Sequence, residues 1–368
     1  MRSLSLFIIF FISLATATAQ DSLTISGKLS GPFKVAQRLA LSDITVNPPV
    51  TVSTIVSDSG RFSFRVPGTV PGIYRLFITS DNFIMLILSG TDVDLLLNAE
   101  KLNLNPIVRG ADETRLVYDI AVQNSVFDKK LDSLNKAFTE ARKNPDLATQ
   151  IPIIQQQYEQ TSAQQRDFLS NTLRANSTSV ACLFFVEKLS IDQYLDLYTD
   201  VAESLYKKYP SFKMIAELKA KVDTEKLLQP GNMAPEITLP DTTGKPFNLS
   251  SLRGKVVMVD FWASWCGPCR RDNPEVVRMY HRFKDKGFDI LGVSLDRDAA
   301  AWFAAIKKDS LTWHHVSDLK YWQSAGAKAY GVTSIPHTVL IGADGKIIAR
   351  KLRGKDLEAK LEELLGAE

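Results

Sequence analysis

Val259-Asp260-Phe261-Trp262-Ala263-Ser264-Trp265-Cys266-Gly267-Pro268-Cys269-Arg270 joins the end of a strand to a Cys-x-x-Cys pair. It closes a continuous apolar run from Lys255 to Phe261, the pattern of a central strand buried on both faces. It then opens a segment whose pattern predicts a helix to about Lys286. Two cysteines separated by two residues at a helix start can close into a disulfide or open into a dithiol with little movement. The first lies at the positive end of the helix dipole, where free backbone N–H groups stabilise a thiolate. Cys266 is therefore the expected nucleophile toward a partner's disulfide. Cys269, one turn deeper, is expected to resolve the mixed disulfide and leave a Cys266–Cys269 disulfide.

A zinc site would need two further ligands at matching spacing. The chain has three cysteines, the third being Cys182, and its histidines (His281, His314, His315 and His337) form no such set. Neither metal nor cofactor is expected. Asp260 is the only charge in its apolar strand, six residues before Cys266. A carboxylate buried there without a partner is costly, so Asp260 should titrate high or serve the chemistry.

The surrounding region, 229–368, alternates strand and helix. Asp289 to Ser294 reads as the next strand and Ala299 to Lys307 as a helix. His337 to Ile341 and Lys346 to Lys351 read as two strands joined by a turn at Ala343-Asp344-Gly345, and Lys355 to Leu365 as a closing helix. This order implies a central mixed sheet flanked by helices, an α/β domain.

The Trp265-Cys266-Gly267-Pro268-Cys269 run resembles the thioredoxin active-site motif, and other positions agree independently. Pro274 matches the proline that kinks the active-site helix, and Ile335-Pro336 matches the loop whose cis-proline faces the cysteines. The lead-in Gly231-Asn232-Met233-Ala234-Pro235-Glu236, with Asp241 to Lys245 and Leu249 to Lys255, is similar to the exported TlpA- or ResA-like branch. The resemblance implies a thioredoxin-like fold, a thiol–disulfide oxidoreductase, and a role for Asp260 beneath the cysteines in moving the proton of the second thiol. It also implies that Trp265, Ile335 and Pro336 contact substrate, and that Asp272 stands where the branch often carries a thiol-tuning Glu. Asp272 is shorter, and it is also a favourable first-turn acid. Trp262 reads as packing, and strand alternation turns His337 away from the cysteines.

Upstream, residues 20–110 carry short alternating segments such as Arg61 to Val66 and Tyr74 to Ile78. They are punctuated by Asp58-Ser59-Gly60 and Pro71-Gly72, which predicts a small antiparallel β sandwich or barrel. This part resembles the β-rich domain of unknown function that precedes thioredoxin-like domains in many bacterial exported proteins. Residues 111–228 turn to helical spacing. Leu116, Ile120, Phe127, Leu131, Leu134 and Phe138 line one face, and further helices are expected from Asp146, over Ser179 to Leu189, and over Ile191 to Lys207. Cys182 lies in an apolar setting and reads as a structural thiol.

Residues 1–19 have a charged start at Arg2, an apolar run from Leu4 to Ala15 and an A-x-A site, predicting a signal peptide cleaved after Ala19. The run is short for a span of about 20 residues. A periplasmic location follows as the expectation. A net charge of +3 argues against nucleic acid as a partner. The expected partners are disulfide-containing protein clients, apocytochrome c thiols among them, and a membrane thiol-transfer protein as electron donor. The first 228 residues are expected to recruit clients or form a homodimer. Reduction of protein disulfides is the leading reading. A disulfide oxidase or isomerase using the same cysteines, and a client-binding scaffold with a secondary redox domain, stand as alternatives.

Overall fold

The computed structural model describes residues 22–46, 48–67, 71–88 and 90–366. The signal peptide expected over residues 1–19 lies outside the described residues. The chain forms two compact units, one of residues up to 190 with 203–216, the other of 191–202 with 217 onward.

The first unit opens with β1 (Ser22–Ser30), β2 (Arg38–Asp43), β3 (Val50–Ile55), β4 (Arg61–Pro67), β5 (Gly72–Phe77), β6 (Phe83–Leu88), β7 (Val93–Asn98) and β8 (Ile107–Arg109). They form two four-stranded sheets, ordered β4-β1-β7-β8 and β3-β2-β5-β6. The period of two in β4 sends Phe62, Phe64 and Val66 inward and the residues between them outward. These join Ile25, Leu41, Leu76 and Leu95 in one core. One pairing departs from the antiparallel expectation: β7 runs parallel to β1. Such a pair needs a long crossover rather than a hairpin, and turn chemistry alone does not reveal it.

α1 (Asp112–Lys143) follows, and α2 (Ile151–Ala175) is reached through a 3-10 turn at Pro145–Gln150. The helical part grows directly from the sheet. The Thr114 hydroxyl accepts from the Ile87 N–H (2.7 Å), and the Tyr118 hydroxyl accepts from the Met85 N–H (2.9 Å), so both occupy backbone groups of β6. Ile120 is buried, the other five apolar positions of the predicted face are half-buried, and Phe127 meets Phe168 of α2. The helix expected over Ser179 to Leu189 is instead two 3-10 turns, Val180–Phe184 and Val186–Lys188. The β-branched Val180 and Val186 and the aromatic pair Phe184-Phe185 disfavour a long helix, and the apolar run buries itself in turns. α3 (Leu195–Lys208) and α4 (Lys213–Leu227) complete the helical elements, separated near Pro210.

The second unit holds β9 (Thr238–Pro240), β10 (Pro246–Asn248), β11 (Val256–Trp262), α5 (Gly267–Phe283), β12 (Phe288–Ser294), α6 (Ala299–Lys308), β13 (His314–Val316), α7 (Ala325–Ala329), β14 (His337–Ile341), β15 (Ile347–Arg350) and α8 (Gly354–Leu365). Its five-stranded sheet runs β13-β12-β11-β14-β15, with β11 at the centre. β11 is parallel to β12 and antiparallel to β14, so the sheet is mixed as expected. Every residue of β11 and β12 is buried, as a sheet covered on both faces requires. Gly292 is needed within β12: a Cβ there would lie 2.6 Å from Nδ1 of His315 and 3.2 Å from Nε1 of Trp262. The site sits where β11 ends and α5 begins.

Candidate functional site

Cys266 is the N-cap of α5. Its sulfur accepts from the Cys269 N–H (3.2 Å), and Pro268 occupies the first turn, where no intrahelical N–H partner is lost. Cys266 and Cys269 are joined by a disulfide, their Cα atoms 5.3 Å apart. Both are buried, whereas Gly267 and Pro268 between them are exposed. Pro274 lies inside α5. Cys182, the third cysteine, is a buried free thiol whose pKa burial pushes up to about 12, with Glu113 adding to the shift.

The Ile335–Pro336 peptide bond is cis, and both residues are half-buried. Pro336 lines one cleft with Cys269, Asp260, Asp272, Thr338 and Arg353. Residues separated by 76 positions in sequence thus meet behind the second cysteine. Burial raises the Asp260 carboxyl to about 7; the nearby Asp272 carboxylate adds to the rise and Arg353 opposes it. Asp272 pairs with Arg353. His337 is buried, touches the Phe261 ring edge-on, and is held at about 4 by burial and by Arg350 and Lys351. It is not among the residues lining the cleft. Trp262 is 1% exposed and packs against His315, whereas Trp265 is 46% exposed.

Several positioning contacts escape a reading of the sequence alone. The buried carboxylate of Asp296 accepts from the Ser264 N–H (2.9 Å), the Ser264 hydroxyl (2.6 Å) and the Ser294 hydroxyl (2.8 Å). The Ser264 carbonyl accepts from Nη1 of Arg270 (3.0 Å), and Arg270 forms an ion pair with Asp309, which also accepts from Asn273 (2.7 Å). The turn before Cys266 is thereby gripped by both β12 and α5. An acid just past a buried strand, as in Ser294-Leu295-Asp296, was the available signal for the first contact. Asp309 and Arg353 carry no local signal.

With the cysteines reduced, this arrangement can present one thiolate at a helix N-terminus and hold a proton acceptor of near-neutral pKa behind the other. Among the described residues no cluster of His, Cys, Asp and Glu could hold a metal ion.

A family model described as Redoxin matches residues 229–365. The chain is 32% identical over 143 residues to the thiol-disulfide oxidoreductase ResA of Bacillus thuringiensis subsp. konkukian, covering 38% of this chain and 79% of that protein. Its identity to the ResA of Geobacillus kaustophilus is 33% over 137 residues, covering 36% of this chain and 77% of that one. A crystal structure of the thioredoxin domain of a thiol-disulfide oxidoreductase from Bacteroides vulgatus matches with 39% identity, 38% of this chain, 99% of that chain and a TM-score of 0.36. With a Cys-x-x-Cys disulfide capping a helix at the end of a central strand, and relatives that match over most of their own length, the chain belongs to the ResA-like thiol–disulfide oxidoreductases of the thioredoxin superfamily.

Proposed function

We propose that this enzyme is an exported, periplasmic reductase of protein disulfides. The observation that carries the reading is the cleft in which Cys269, the Asp260 carboxyl and the cis-Pro336 loop converge behind the capping Cys266. The Cys266 thiolate attacks one sulfur of a client disulfide, forming a mixed disulfide and releasing the other client sulfur as a thiolate. Asp260 accepts the Cys269 proton, and the Cys269 thiolate attacks the Cys266 sulfur. The Cys266–Cys269 disulfide forms, and the client leaves with both sulfurs reduced. Trp265, Ile335 and Pro336 line the client's path, the loop offering its backbone to an extended segment. Asp272 tunes Asp260 by charge.

Each turnover leaves the enzyme oxidised, so two electrons must come from a dithiol donor, here a membrane thiol-transfer protein. Clients include apocytochrome c with its haem-attachment cysteines oxidised to a disulfide, and misoxidised exported proteins. Export is supported by the Arg2, Leu4 to Ala15 and A-x-A pattern, with cleavage after Ala19. The restriction of the chain's cysteines to one local pair and a buried third is the pattern of a redox site, not of a structural staple. Among the described residues no helix is long and apolar enough to cross a membrane. Residues 20–110 and 111–228 recruit clients or a second copy of the chain.

The deciding experiment is the reduction potential of the Cys266–Cys269 pair in the mature chain, set by equilibration with thiol–disulfide buffers. A value near that of thioredoxin, about −270 mV, is expected; one near the strong oxidant DsbA, about −120 mV, assigns disulfide formation or isomerisation instead.

A further inference from the structure

We propose that Trp265, Tyr321 and Trp322 form a preorganised specificity surface beside Cys266 that receives an aromatic side chain next to the client's target cysteine. The proposal rests on the exchange chemistry of Cys266 given above and is independent of the direction of electron flow.

The three rings are in mutual contact. Trp265 lies 5.2 Å from Tyr321 and 6.1 Å from Trp322, and those two lie 5.6 Å apart, with interplanar angles of 50°, 64° and 68°. These are the tilted and edge-to-face arrangements that aromatic rings prefer. Trp265 is exposed, and Tyr321 and Trp322 are only half-buried. Clustered apolar rings left facing water mark an interaction surface more than a core. The Arg297 guanidinium sits 4.3 Å from the centre of the Tyr321 ring, which fixes that ring by a cation–π contact and places a positive charge beside the cluster.

The loop that carries the two added rings is built against its own backbone preferences. Leu319 and Tyr321 both take positive φ, 54° and 56°, a region that bulky residues rarely occupy. Such conformations persist only where surrounding contacts enforce them. Here the Asp318 carboxylate accepts from the N–H groups of Lys320 (3.2 Å) and Ala325 (2.9 Å). The Ser317 hydroxyl accepts from the Leu319 N–H (3.1 Å) and donates to the Ser294 carbonyl (2.9 Å). Ser294 in turn donates its hydroxyl to Asp296, which holds Ser264. The Tyr321 loop and the Trp265–Cys266 turn are therefore tied to the same end of β12, and little ordering remains to be done when a client arrives.

The occupant follows from the geometry of exchange. In the mixed disulfide the client sulfur is bonded to Cys266, and the client's next residue is one Cα step, about 3.8 Å, from its cysteine. Trp265 is likewise one step from Cys266. A flanking side chain of the client is thus delivered to the cluster, where an aromatic ring gains contact with flat faces at low entropic cost. The Arg297 charge disfavours a basic residue at the same place.

The test uses mature chain carrying Cys269→Ser, so that mixed disulfides persist, and two symmetric peptide disulfides that differ only in Phe or Gly beside the cysteine. Either sulfur then gives the same Cys266–peptide product and releases one peptide thiolate, and mass spectrometry follows its rate of formation. The Phe peptide is expected to react about fivefold faster than the Gly peptide. Adding Tyr321→Ala with Trp322→Ala should bring the ratio close to one, whereas Tyr321→Phe with Trp322→Phe should preserve it. A ratio near one in the Cys269→Ser parent, a ratio unchanged by the alanine pair, or equal loss in the alanine and phenylalanine pairs overturns the proposal. Absence of adduct from both peptides sinks the exchange reading itself, and the proposal with it.

Discussion

Asp296 accepts hydrogen bonds from both the backbone N–H and the hydroxyl of Ser264, two residues before Cys266. The carboxylate is buried and also accepts from Ser294, so one side chain just past the end of β12 sets the turn that leads into Cys266. Removing it takes the acceptor from a half-buried N–H and two hydroxyls at once. Asp296→Ala should cost about 3 kcal/mol of stability, given the usual worth of hydrogen bonds to a charged group. It should also lower kcat/KM for disulfide reduction, while Asp296→Asn, which keeps an acceptor oxygen, retains more of both. Urea unfolding and steady-state kinetics check this; an unchanged midpoint in Asp296→Ala would refute the anchoring role.

The Asp260 carboxyl, raised to about 7 from an ordinary value of 3.8, gives the disulfide form a pH-dependent stability. The folded protein keeps a proton that the unfolded chain releases between about pH 4 and pH 7. The stabilisation is complete below about pH 4 and is lost as pH rises through about 7, with a slope approaching 1.4 kcal/mol per pH unit at about the middle of that window. Asp260→Asn should flatten the slope. It should also slow disulfide reduction near neutral pH and remove the inflection near 7 from the rate profile. Unfolding curves from pH 4 to 8 that coincide in shape for the two proteins would exclude this titration.

Arg353 and Asp272 act on the same carboxyl in opposite directions. Arg353→Gln should move the Asp260 inflection upward, and Asp272→Asn should move it downward. Both are read from the pH profile or by infrared titration of the carboxyl band. Movement of both in one direction would mean that the variants act through packing.

Cys182, with its thiol pushed up to about 12 and its sulfur 3.1 Å from the Asn176 carbonyl, should be inert. Iodoacetamide applied to the reduced native protein should label Cys266 and Cys269 only, and Cys182 only after denaturation. Rapid labelling of Cys182 in the native state would show a conformation in which that core opens.

Glu225 of α4 pairs with Arg350 of β15 through two contacts (2.6 and 3.3 Å), both side chains about nine-tenths buried. Breaking such a pair leaves a buried charge, so Glu225→Ala should destabilise by about 3–5 kcal/mol. A fragment beginning at residue 229 should unfold at lower denaturant than one beginning at residue 217. Equal midpoints would show that Arg350 finds other compensation.

The redox motif, its strand-to-helix setting and the mixed sheet were legible because their signals are local. A run of apolar residues, a Cys-x-x-Cys pair and Gly/Asp turns each act within a few positions. The β character of the strands between Ser22 and Arg109 was legible for the same reason. The parallel β1–β7 pairing was not, since nothing near Ile25 indicates that Val93 lies beside it. The run around Cys182 is apolar enough for a helix yet folds as two 3-10 turns, because its β-branched and aromatic residues disfavour a long helix and its apolar spacing does not register that.

The same division holds at the site. Residue type and spacing alone singled out Cys266 and Cys269, a pair at a helix start with the separation of a reversible disulfide. They also marked Asp260 as an acid in an apolar strand. The surroundings came from long-range packing: the Asp272–Arg353 pair beside Asp260, the grip of Asp296 on Ser264, and the meeting of Trp265 with Tyr321 and Trp322. Chemical identity is carried by residue type and short spacing. Electrostatic environment and binding shape depend on distances between residues far apart in the chain, which only the packed sheet and its loops fix.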